Sequence, residues 1–216
     1  LIMFADNGFE SQFFIADNDN SSTRFRFTGD HDFDALTIGY KMEFEAQRNA
    51  SNKLDLGTNT DGDFEWNDRW LEAYFLHKWG KVSIGKGDGA ANNTSEVDLS
   101  GTAVITYAGV NDTAGGFTWT FNDGTKIVRG GENLTIGDTR SNFDGLSRNE
   151  RLRYDTPKFS GFSFAGSVTN GEAWELSGWY TGEFKGFGKL AAALGYVDTR
   201  DRTNSDGTAK LDYKQW

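Results

Sequence analysis

Residues 36–47 read LTIGYKMEFEAQ, and the side chains alternate without a break. Leu36, Ile38, Tyr40, Met42, Phe44 and Ala46 fall in one phase; Thr37, Gly39, Lys41, Glu43, Glu45 and Gln47 fall in the other. Side chains of a strand point to opposite faces with period two, so this segment predicts a strand with one apolar and one charged face. A helix is excluded, because every helical face would mix charges with apolar groups. The run is also long, since strands of soluble proteins average about five to six residues.

The same alternation recurs along the chain. SSTRFRFTG (21–29) sets Arg24 and Arg26 against Phe25 and Phe27, and NERLRYDT (149–156) sets Arg151, Arg153 and Asp155 against Leu152 and Tyr154. EWNDRWLEAYFLHK (65–78) groups Leu71, Ala73 and Phe75, but Arg69 shares their odd register, so a bulge or an interior aromatic cluster is required there. Further strands are predicted within 82–86, 162–168, 172–184 and 189–197, and LDYKQW begins another. The connections near 30–35, 79–81, 157–161 and 185–188 are short. Those at 6–20, 48–64, 87–147 and 199–209 are longer and polar, with the brief link at Asn170–Gly171 breaking the rule. Alternating short turns and long loops are expected when successive hairpin ends meet different compartments.

Composition narrows the choice. Aromatic residues make up 15% of the chain, too many for a disordered acidic segment despite the net charge of −10. That charge, without a phosphate-neutralising stripe, argues against nucleic acid as a partner. Cysteine is absent, and His31 and His77 are isolated, so no disulfide, metal site or cofactor site is predicted. Close-set carboxylates at ADNDN (16–20) and NTDGDFE (59–65) read as exposed polar loops. No run approaches the roughly 18 apolar residues of a spanning helix, a test that barrels evade by alternating.

A soluble antiparallel sandwich also alternates apolar and polar residues. Strand length, 27 glycines, a single proline (Pro157, in a connection) and the loop asymmetry favour a transmembrane antiparallel β-barrel within the all-β class. Two other functions compete: a soluble carbohydrate-binding β-sandwich stacking sugars on its aromatics, and a glycoside hydrolase. For the hydrolase, Glu172 and Glu175 bracket Trp174, but their odd spacing puts them on opposite faces, so no catalytic residues are assigned.

The stretches DNDNSSTRFRFTG, LTIGYKMEFEAQ, RWLEAYFLHKWGKVSIGKGDGAANNTSEVDLSGTAV and FDGLSRNERLRYDTPKFSGFSFAGS resemble the general-diffusion porins of Gram-negative outer membranes. The resemblance implies a barrel of about 16 strands. On that plan residues 1–216 form an incomplete, N-terminal part with about ten strands, the first reduced to LIMFA. It further implies a homotrimer in outer-membrane lipid, passing ions and small hydrophilic solutes, with the loop 48–64 reaching toward a neighbouring subunit. The loop at 87–147 would fold back and narrow the pore, with FTWTF (117–121) and LTIGDT (134–139) as small strands. Acidic candidates in that loop are Asp88, Glu96 and Asp98. The opposing basic wall would comprise Arg24, Arg26, Lys41, Arg69, Arg151 and Arg153, with mild cation selectivity from the acidic excess. The apolar phase, including Phe25, Phe27, Ile38, Met42, Leu71 and Leu194, would meet lipid.

Overall fold

The alternating segments pair edge to edge. A computed structural model describes residues 1–57, 64–102 and 109–199, together with the backbone of 202–203, 210–211 and 214–215. In chain order the strands are β1 Ile2–Asp6, β2 Ser11–Ile15, β3 Arg24–Phe33, β4 Leu36–Arg48, β5 Phe64–His77, β6 Gly80–Asp88, β7 Val128–Arg129 and β8 Glu132–Asn133. They continue as β9 Arg148–Asp155, β10 Phe162–Thr169, β11 Trp174–Phe184, β12 Gly188–Asp198, β13 Arg202–Thr203, β14 Lys210–Leu211 and β15 Lys214–Gln215. Nine of them form one sheet in the order β15-β12-β11-β10-β9-β6-β5-β4-β3, and the registered pairs within it are antiparallel. Among the described residues no helix is long and apolar enough to cross a membrane, which says nothing of spanning strands.

The chain divides into two compact units. One comprises Leu1–Phe25, Phe44–Asn67 and Gly101–Asn142. Here β1 and β2 pair with each other, Ile2 opposite Ile15 and Phe4 opposite Phe13, rather than joining the main sheet. This corrects the expectation of a polar loop over 6–20: SQFFI is a strand, turned back by Asp6 and Asn7 side chains that accept the amides of Gly8, Phe9 and Glu10. Its inward Phe14 buries against Ala16, Leu54 and Leu56, with Phe117 edge-on at 5.8 Å. FTWTF is extended, its amides and carbonyls bridging Ile127 and Leu134. LTIGDT is not a strand throughout; Ile136–Thr139 is a helical turn, because Thr135 and Asp138 form a reciprocal capping box.

Asp55 ties these pieces together. Its carboxylate accepts the Thr118 amide at 3.0 Å, the Thr118 hydroxyl at 2.8 Å and the Lys126 ammonium at 2.6 Å. Burial alone would raise its pKa, but these donors outweigh burial and hold the carboxyl below the ordinary aspartate value.

The second unit comprises Arg26–Glu43, Asp68–Ser100 and Phe143–Trp216. β6 and β9 pair from Lys81↔Asp155 to Asp88↔Arg148, so the long loop leaves and returns at adjacent strand ends. The short turns fall where the alternation predicts, although β3 runs on to Phe33 and leaves only 34–35 as turn. Asp34 takes positive φ there. Residues 200–201, 204–209, 212–213 and 216, which include most of the predicted loop 199–209, lie outside the described residues, as do 58–63 and 103–108.

Which face is covered is the decisive feature. Glu43, Glu45, Gln47, Glu72, Ser83, Arg151, Ser167, Glu175 and Ser177 are buried, whereas Ile38, Met42, Leu71, Phe75, Leu152, Phe164, Leu176 and Leu194 are exposed. Water-soluble sheets show the reverse.

Asp55→Asn should loosen the segment 117–136 by about 1–3 kcal/mol, the cost of weakening charge-assisted hydrogen bonds, read as faster limited proteolysis there. The wild-type protection should be full above about pH 4 and fall as the pH drops through the depressed folded-state pKa of Asp55. The asparagine variant should lack that acid dependence.

Candidate functional site

The covered face of the second unit carries a chain of charges. Glu43, with 1% of its side chain exposed, takes the Arg69 Nε–H on Oε1 at 2.9 Å and the Arg26 Nε–H on Oε2 at 2.6 Å. One carboxylate therefore serves two guanidinium groups from β3 and β5. Arg26 is half-exposed beyond that contact, whereas Arg69 is nearly covered.

The alternation of β5 breaks beside this group. Arg69 reaches Glu43, yet Glu72 reaches Arg151, so odd and even positions both serve the polar side while Leu71, Ala73 and Phe75 stay outward. Trp70 sits at the break. The Lys41 ammonium lies 3.1 Å from its ring centroid and the Arg151 guanidinium 5.8 Å away. Trp70 is thus an aromatic ring set among the cations of the polar side where the register changes. Opposite, Gly85 takes φ +109°, and a Cβ there would strike the Leu71 carbonyl.

Arg151 and Glu72 form a salt bridge at 2.5 Å with side-chain exposures of 1% and 2%. Lys81 approaches the other Glu72 oxygen at 3.5 Å. Arg151 also donates to the carbonyls of Asp88 at 2.9 Å and Gly85 at 3.0 Å. Arg153 holds Asp155 and donates to the carbonyls of Asp88 at 3.2 Å and Gly89 at 2.7 Å. These two arginines thus grip the backbone where the long loop departs.

At the loop's return, Asp144 accepts the Asn93 amide. Burial, then the charge of Glu96, pushes the Asp144 carboxyl up to about 7. Glu175, fully buried on β11, accepts the Leu146 amide at 2.7 Å and the Ser167 hydroxyl at 2.9 Å.

Of the residues singled out from sequence, Arg26, Lys41, Arg69, Arg151 and Arg153 occupy this polar face. Arg24 belongs to the other unit, where its guanidinium donates to the Ser21 hydroxyl at 3.1 Å. Asp88, expected in the long loop, instead ends β6, where pairing with β9 continues through Asp88↔Arg148 and Arg148 lies 3.8 Å away; Glu96 neighbours Asp144. Asp98 is exposed and accepts the Ser100 amide at 2.7 Å, a local turn contact. Glu72, Trp70 and Asp144 were not singled out from sequence. For Glu72, its polar phase beside Leu71 was the available signal. For Asp144 there was none, because its environment is made by a distant stretch of chain. Glu172 sits exposed in a turn with φ +63° while Glu175 is buried, so the two carboxyls share no site. Among the described residues no cluster of acidic residues or histidines is placed to hold a metal ion.

A family model for Gram-negative porins matches residues 5–216, nearly the whole chain. No curated protein matches.

Glu72→Ala should leave Arg151 buried without its counter-charge and cost about 3–5 kcal/mol, measured as a lower denaturant midpoint in detergent. Glu72→Gln, which keeps a hydrogen-bond acceptor, should lose less.

Proposed function

Because the chain belongs to the Gram-negative porin family, a family of channels rather than enzymes, we propose that it lines a passive outer-membrane pore for ions and small hydrophilic solutes. The observation that carries this reading is the inverted sheet, with charged side chains covered and large apolar side chains exposed. In water that arrangement would be costly. In a bilayer it is favourable, because turning one arginine outward at the midplane costs about 2–4 kcal/mol.

On this proposal the nine-stranded sheet is part of a closed barrel of about 16 strands, since an open edge cannot survive in lipid. The single barrel domain over 1–216, the homotrimer, the lipid contacts of the apolar face and the reach of loop 48–64 toward a neighbour are part of the same proposal. The polar face becomes the wetted wall. Arg26 and Lys41 are its best-placed cations for meeting a permeant, Arg69 shares the Glu43 carboxylate with Arg26, and Arg24, two residues before Arg26 on β3, belongs to the same proposed set. Arg151 and Arg153 serve the wall by holding the loop root. The loop that follows Asp88 then narrows the passage and brings Glu96 and Asp98 opposite the basic wall, with Asp88 at its root on β6. Weak, multiple contacts along such a field let a polar solute exchange water and leave again. A soluble sugar-binding sandwich would need its apolar phase turned inward, opposite to the exposure pattern.

Full-length protein in planar bilayers should give stepwise conductance, with a reversal potential favouring cations in a potassium chloride gradient. Absence of steps at every voltage would overturn the channel reading. Raising the pH from about 6 to about 8 deprotonates Asp144 and adds a negative charge beside Glu96, so cation preference should increase. Asp144→Asn should remove most of that increase.

A further inference from the structure

We propose that Glu175 is the positioning residue of the long loop: it ties both loop roots to the wall and so keeps the aperture at one size. The proposal rests on the reading of this loop as the constriction. Its geometric part stands on the contacts alone.

Glu175 has no exposed surface. One oxygen accepts the amide of Leu146, where the loop returns, at 2.7 Å. The other accepts the Ser167 hydroxyl at 2.9 Å, and that hydroxyl oxygen accepts the amide of Ala90, where the loop departs, at 2.8 Å. One carboxyl therefore links departure and return, directly on one side and through a single hydroxyl on the other. Among the described residues no lysine or arginine pairs with it. Its two oxygens serve a loop amide and the Ser167 hydroxyl rather than a counter-ion.

The surrounding sequence makes room for this contact. A Cβ at Gly89 would collide with the Glu175 carboxyl, and one at Gly145 would stand 2.9 Å from its Oε1. Glycine at both positions lets the backbone come close enough for its amides to be taken. Arg153 meanwhile holds the carbonyls of Asp88 and Gly89. At the departing root, then, a guanidinium takes the carbonyls while the Glu175–Ser167 pair takes the next amide. A loop of this length, fixed only by its covalent ends, would sample many positions. This clamp removes that freedom at the point where leverage on the aperture is greatest.

The chain has no cysteine, so a single Ala91→Cys in the full-length protein reports release of the root. Ala91 is 1% exposed and lines a cavity of about 150 Å³ with Thr94, Phe143, Gly145 and Ala193, which leaves space for the sulfur. Maleimide labelling of this cysteine in detergent should be slow and should accelerate at least tenfold when Glu175→Ala is added. Glu175→Gln should restore slow labelling, because its amide still accepts from Leu146 and donates to the Ser167 oxygen. Ser167→Ala, which removes the hydroxyl between Ala90 and Glu175 but leaves the Leu146 bond, should accelerate labelling several-fold even where Glu175→Ala fails to fold. In bilayers Glu175→Ala should replace one conductance level by fluctuating levels. Unchanged labelling in both Glu175→Ala and Ser167→Ala overturns the clamp. Absence of conductance in the wild type would sink the channel reading alone, leaving the labelling to decide the clamp.

Discussion

The structure depends on charge pairing on the covered face of the sheet. A covered ion is tolerated only when its partner and remaining hydrogen-bonding groups are supplied nearby. Glu43 meets this by dividing its two oxygens between Arg26 and Arg69, and Arg151 by spending its donors on Glu72 and two carbonyls. Such pairs contribute little net stability compared with apolar packing. Their value lies in what they permit, a wall that can carry charge facing its covered side without unfolding. A hydrophobic cluster of buried residues, Phe14, Ala16, Leu54 and Leu56, belongs to the other unit.

The alternation in the sequence made the strands legible because period two is a local property. LTIGYKMEFEAQ needs no knowledge of its neighbours to be a two-faced strand, and β4 spans Leu36–Arg48 as that reading requires. SQFFI escaped notice because five residues between polar runs carry too little periodicity. LTIGDT misled for another reason: the hydrogen bonds between Thr135 and Asp138 compete with strand pairing and win locally.

The site was legible only in its charges. The polar phase named Arg26, Lys41, Arg69, Arg151 and Arg153, but not which of them would be occupied by the protein itself. That depends on long-range partners, such as Glu72 for Arg151 across β5, β6 and β9, and the backbone carbonyls at 88 and 89 for Arg153. Sequence distance hides such contacts completely. The break at Trp70 was visible as a conflict of register around Arg69, and the conflict marked a place where the Lys41 ammonium lies 3.1 Å from an aromatic ring centroid. Local rules failing together were more informative here than the rules succeeding.

Charge on the wall thus divides into two kinds of work. Where a guanidinium is fully covered, as in Arg151, its field is neutralised at short range and its geometry is what matters. Where it is half-exposed, as in Arg26, the carboxylate of Glu43 fixes its position while water still reaches the outer edge. On the proposed channel reading, only the second kind could act on a passing solute. A fold that must be both rigid and wet needs both, because an arginine held by nothing would lose its orientation and one held on every side would have no field left to offer. The same division extends to the carboxyls. Glu175, enclosed and bonded to the Leu146 amide and the Ser167 hydroxyl, is placed to set position, whereas Asp144, beside Glu96 at the loop root, can change charge near neutral pH. On the proposed channel reading, constriction and selectivity would then be largely separable: Glu175 holds the loop through an amide and a hydroxyl, while Asp144 is the loop-root group whose charge can change.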